Sequence, residues 1–89
     1  MIPVDYTKLS WQQRKVIREQ YIKEQNGLCF YCKKALSKEP IMNKKINLEL
    51  FPPNFFKYKV HLQHNHKTNM TEGVVHNYCN AVMWQYHGK

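Results

Sequence analysis

A chain of 89 residues reads as one domain, residues 1–89, near the lower limit at which an apolar core alone holds a fold, so a staple is expected. Its three cysteines cannot all pair with one another, which favours a metal over disulfides; no apolar run is long enough for a bilayer, and Met1–Asp5 lacks the features of a signal peptide, so no membrane association, no secretion and a reducing, cytoplasmic setting are expected. Fourteen Lys and Arg against six Asp and Glu, a formal +8, are the footprint of a protein that meets phosphate, although solubility alone also makes small domains basic.

Ser10 followed by Gln13 is a capping-box pattern, and Asn26-Gly27 is a left-handed stop, so residues 11–25 are predicted to be helical. Ile17, Tyr21 and Leu28 form the expected core stripe, with Lys15, Arg18 and Lys23 off it on a solvated face. Cys29-Phe30-Tyr31-Cys32 is a tight turn. Residues 37–45 read as loop, residues 46–50 alternate like a short strand, and Pro52-Pro53 ends it. Alternation returns in residues 58–64, with Tyr58, Val60 and Leu62 on one side and Lys59, His61 and Gln63 on the other. Residues 73–76 are the expected return strand. Asn77 is the expected cap of a last helix that runs to Tyr86 before Gly88. Tyr78, Met83, Trp84 and Tyr86 are assigned to the core, and residues 51–56 to packing over the hairpin in preference to nucleic-acid contact.

Cys29-x-x-Cys32 and His76-x-x-Cys79 supply three thiolates and one imidazole in two close pairs, the ligand set of a tetrahedral structural Zn²⁺ site. Closing the long loop between the pairs makes metal binding free energy into folding free energy. The alternative, a thioredoxin-like redox pair at Cys29 and Cys32, lacks a surrounding βαβ pattern and leaves His76-x-x-Cys79 a coincidence.

Four of the five histidines lie between His61 and His76, with His61, His64 and His66 on the end of a strand and the turn after it. His61-Leu62-Gln63-His64-Asn65-His66, with His76-Asn77-Tyr78-Cys79-Asn80 on the return, resembles the HNH or His-Me finger nucleases, above all their phage recombination endonuclease VII branch, over roughly residues 25–88. The resemblance implies an α+β fold: an N-terminal helical segment in residues 1–26, then a zinc-bound ββα-metal unit in residues 27–88. It also implies a metal-dependent DNA endonuclease, of phage origin or at work in a bacterial or phage-infected cell. His64 is then the general base and Asn80 a ligand of a catalytic divalent cation such as Mg²⁺, Mn²⁺ or Ni²⁺. The second protein ligand, Asp or His in that family, falls on Gln63, whose neutral amide is a weaker donor. His61 and His66 are either catalytic or structural.

Neighbouring strand positions point to opposite faces, so the backbone near His64 must bend if Gln63 and His64 serve one site. Lys33, Lys34, Lys57, Lys59 and Lys67 are the expected phosphate contacts on duplex or branched DNA. A monomer would nick and a homodimer would cut both strands. A catalytically impaired, zinc-stabilised DNA-binding accessory remains the alternative, and Gln63 is either natural or an inactivating change in an active enzyme.

Overall fold

The computed structural model describes residues 2–88, a small α+β fold of two helices and one two-stranded antiparallel sheet. Helix α1 spans Trp11–Glu24 and closes its first turn with the full capping box, the Ser10 hydroxyl accepting from the Gln13 backbone and the Gln13 side chain accepting from the Ser10 backbone. Asn26 and Gly27, at φ 55° and 74°, end it in the left-handed region. Ile17 and Tyr21 are its buried residues. Leu28 lies beyond the helix and is exposed, so the expected stripe stops one member short.

Strands β1 (Val60–His64) and β2 (Thr71–His76) form the hairpin. Val60 pairs with His76 and Gln63 with Gly73, but His64 pairs with Thr71, so Glu72 is an extra residue opposite a break in register between Gln63 and His64. The extra residue belongs to β2, so it is β2 that bulges, opposite Gln63 and His64.

Helix α1 is fastened to β2 through Tyr21, whose hydroxyl lies 2.9 Å from Thr71 Oγ1 and donates to Thr71 O at 3.2 Å. Gln25 fastens the chain after α1: its Nε2 donates to Leu28 O and Val74 O, and its Oε1 accepts from Val74 N at 2.9 Å. A glycine is required opposite this clamp, because a Cβ on Gly73 would sit 2.7 Å from Gln25 Oε1 and 2.9 Å from the Phe30 ring.

Helix α2, Asn77–His87, is capped by His76, and Asn77 is its first residue, not the cap. The Asn77 amide instead donates to the carbonyls of Phe56 and Tyr58, holding the incoming loop against the helix start. Gly88 ends α2 at φ 68°. Tyr78, Cys79, Ala81, Val82 and Met83 are buried, and Val74, Val75 and Cys29 lie at the centre of the core. Trp84 and Tyr86 are nearly half exposed, contrary to expectation, because Tyr78, Val82 and Met83 already fill the inward face.

Residues 46–50 form a 3-10 turn at Leu48–Leu50 and not a strand. Asn47 caps it through Glu49 N, and Asn47 N donates to Gln85 Oε1, so contacts with α2 replace a strand partner. Tyr78 anchors the same loop, accepting from Lys44 N at 2.7 Å and donating to Lys44 O at 2.6 Å. Among the described residues no helix is long and apolar enough to cross a membrane.

Candidate metal centre and histidine cleft

The metal centre follows from the turn at residues 29–32 meeting the β2–α2 junction. Cys29 N donates to Lys34 O, Lys33 N donates to Cys29 O, and Lys33 takes the left-handed φ of 66° that lets the chain double back. Both sulfurs therefore face the same way. The ligand atoms of Cys29, Cys32, His76 and Cys79 all lie within 4.8 Å of one another, in a group able to bind zinc.

His76 is oriented for that role. Its Nε2 lies 2.9 Å from Ala35 O and 2.8 Å from Lys38 O, acceptors only, so the proton sits there. The Nδ1 lone pair then faces the sulfurs, 3.5 Å from Cys32 Sγ and 3.6 Å from Cys79 Sγ. Carbonyls behind a liganding imidazole fix its tautomer in this way. A hydrogen bond from the Cys79 thiol pulls the Cys29 thiol well below its ordinary range, while the same contact and burial push Cys79 up. A divalent ion would let all three sulfurs ionise together. All three cysteines are free, Cys29 and Cys79 buried and Cys32 partly exposed, and neither a disulfide nor a redox pair is needed to explain their grouping.

A second concave site lies across the sheet. A cleft of about 620 Å³ is lined by His61, Leu62, Gln63 and His64 of β1, His66 of the turn, Asn80 and Trp84 of α2, Tyr6, Trp11, Arg14 and Arg18 of the N-terminal region, and residues from the 50–58 loop; no Asp or Glu lines it. His61, Gln63 and Asn80 line it together, and Val60, Leu62 and His64 line it too, so the cleft takes β1 residues of both parities.

His64 is stacked flat on Tyr6, ring centres 4.1 Å apart and 7° from parallel, and lies 4.7 Å from the His66 ring. Arg14 covers the other face of Tyr6 at 4.1 Å. Burial first, then the charges of His66 and Arg14, hold the His64 imidazole below its ordinary range, and Glu72 partly offsets them. His61 is also held low, mainly by burial, with Arg18 adding to it and the backbone at Phe55 and Tyr58 opposing.

Asn80 Nδ2 lies 3.0 Å from His61 Nδ1, whose ring is held edge-on by Phe55. Gln63 is buried, and its amide donates elsewhere, to His64 O at 3.0 Å and towards Glu72 Oε1 at 3.4 Å. So Asn80 meets His61 directly, while the Gln63 amide nitrogen is engaged on its own strand and on β2.

Lys33, Lys34, Lys57, Lys59 and Lys67 are all exposed. None lines the large cleft; Lys67 borders a smaller neighbouring hollow with Gln63, His66 and Glu72. His87 is exposed and lies 3.1 Å from the Tyr31 hydroxyl. The residues that sequence reasoning missed are Arg14, Tyr6 and Trp11, while Arg18 was placed on a solvated face and in fact lines the cleft. An Arg pair at i and i+4 on α1 was the available signal, but only the packing of α1 on the hairpin shows which way it faces. Compared with known proteins, the chain matches no family model, no curated protein and no solved structure.

Proposed function

We propose that the chain is a metal-dependent DNA endonuclease of the HNH type, with zinc at Cys29, Cys32, His76 and Cys79 as its staple. The observation that carries this reading is the convergence of His61, Gln63, His64, His66 and Asn80 on one basic, aromatic cleft. A neutral imidazole is the natural base for water near pH 7, and His64, held in place by Tyr6, fills that role.

Asn80 and His61 are the best-placed holders of a divalent cation. The Asn80 amide lies 3.0 Å from His61 Nδ1, so the two side chains could together hold one divalent cation. A half-turn of the amide, whose two ends are assigned and not observed, presents Oδ1. Gln63, two residues along β1, lines the same cleft and offers only a neutral amide, weaker than imidazole or carboxylate. The bound ion would stabilise charge on the phosphate and the leaving oxygen. His61 and Asn80 orient it; Arg14 and Arg18 face the same cleft with fixed positive charge.

The rival reading, a zinc-stabilised DNA-binding accessory that does not cut, is favoured by one observation: no carboxylate lines the cleft to hold the ion strongly. A plasmid-cleavage assay in Mg²⁺, Mn²⁺ and Ni²⁺ separates the two. Cutting by the parent chain, faster in Ni²⁺ or Mn²⁺ than in Mg²⁺, is expected, with Gln63→Asp raising the Mg²⁺ rate and Gln63→His the rates with softer ions. Binding without cutting by the parent and by both variants would leave the accessory reading standing.

A further inference from the structure

Both arginines and both tryptophans of the chain line the histidine cleft, although they come from opposite ends of the sequence. The distribution is uneven in kind as well as in place. The exposed lysines lie elsewhere on the surface, while the cleft receives the two guanidiniums and the large rings.

The rings are open to a ligand, and the two arginines are partly exposed. Trp11 is 73% exposed, Tyr58 60% and Trp84 45%, so the rims of the cleft carry ring faces that the core does not cover. Arg14 Nε is buried without a hydrogen-bond partner, and its guanidinium is held over Tyr6. With no carboxylate lining the cleft, its charge has nothing internal to neutralise it there.

Guanidinium groups match phosphate oxygens with a planar fork of donors. Exposed rings beside such a fork offer something a duplex cannot use, because paired bases hide their faces in the stack. An unpaired strand exposes both parts at once: phosphates for the arginines and base faces for the rings.

We propose that the cleft is a track for an unpaired strand of DNA, with Arg14 and Arg18 on successive phosphates and Trp11 and Trp84 stacking on bases. This rests on the nuclease reading of the same cleft and narrows its substrate from DNA in general to DNA with a single-stranded or splayed segment. The histidines then meet a strand whose backbone is already separated from its complement.

The test uses zinc-loaded protein without added divalent cation, a single-stranded oligo-dT, a duplex of equal length and an oligo-U. Intrinsic tryptophan fluorescence should fall on adding oligo-dT, with affinity at least tenfold above that for the duplex at the same salt. Trp11→Ala and Trp84→Ala should each remove part of the quenching and weaken oligo-dT binding by roughly tenfold. Arg14→Gln and Arg18→Gln should weaken it too, each lowering the slope of log affinity against log salt by about one. Far-ultraviolet circular dichroism and zinc content verify that the variants are folded. Equal or tighter binding of the duplex, or unchanged fluorescence, overturns the proposal, and markedly tighter binding of oligo-U overturns its assignment to DNA. Plasmid cutting by a protein that prefers duplex would sink the strand track while leaving the nuclease reading intact; strand binding without cutting in any metal would do the reverse.

Discussion

Replacing Cys79 by serine isolates the zinc site, because the hydroxyl nearly preserves the volume of a side chain only 2% exposed and leaves little cavity. Structural zinc in small domains binds with about 10–16 kcal/mol at pH 7, so one of four ligands accounts for about 2.5–4 kcal/mol. The whole stability of a small domain is about 5–15 kcal/mol. The loss is therefore a large share of the total. It is concentrated where the turn at residues 29–32 meets the start of α2, with Cys29 buried on the other side of the site. At about 4–8 °C per kcal/mol for a domain of this size, the zinc-loaded Cys79→Ser protein should melt about 10–30 °C below the parent. Melting curves followed by circular dichroism, with excess zinc and again after chelation, measure this. The chelated parent should lose most of its advantage over the variant. If the parent melts at the same temperature with and without zinc, the four residues are an ordinary packed cluster and the staple argument fails.

Gly73→Ala should cost about 1–3 kcal/mol by overpacking, since the new methyl meets Gln25 Oε1 and Phe30; a denaturant midpoint equal to that of the parent would contradict the clamp. Burial and the neighbouring charges lower the His64 pKa from 6.5, so the base stays neutral to a lower pH and the acid limb of the cleavage rate should lie below pH 6.5. A limb above 6.5 in the pH–rate profile would remove His64 from that role or reverse its environment. DNA affinity should fall steeply with salt, because the excess positive charge is carried largely by exposed lysines that act as point charges; a filter-binding series indifferent to ionic strength would refute this.

What could be read from the chain depended on how strongly the chemistry restricts residue type and spacing. Zinc demands thiolate or imidazole in close pairs, and Cys29, Cys32, His76 and Cys79 do meet. Strand alternation was legible for a similar reason, since period two puts His61 and Gln63 on one face, whereas the register break was not read: its extra residue is Glu72 of β2, and β1 residues of both parities line the cleft. Residues 46–50 misled because alternation over five positions says nothing about a partner strand, and side-chain contacts with α2 settled that segment as a turn. Trp84 and Tyr86 look like core by composition, yet the inward face of α2 was already full. The cleft itself was hidden, since Tyr6, Trp11, Arg14 and Arg18 reach the histidines only after α1 folds back on the hairpin. Likewise, the sequence placed His61 and Gln63 on one face, but the position of α2 decides that Asn80 sits against His61.

The central claim, that the histidine cleft hydrolyses DNA, is tested most directly by the single-turnover rate of plasmid relaxation for zinc-loaded parent and zinc-loaded His64→Ala in the same metal. The His64 ring is partly exposed and packs chiefly on Tyr6 and His66, so its removal should leave zinc content and DNA affinity nearly unchanged. Relaxation by the parent that is lost in His64→Ala, at equal zinc occupancy and equal binding, is the result this account predicts. Equal rates for the two proteins, or no relaxation by a folded, zinc-loaded, DNA-bound parent in Mg²⁺, Mn²⁺ or Ni²⁺, would contradict it.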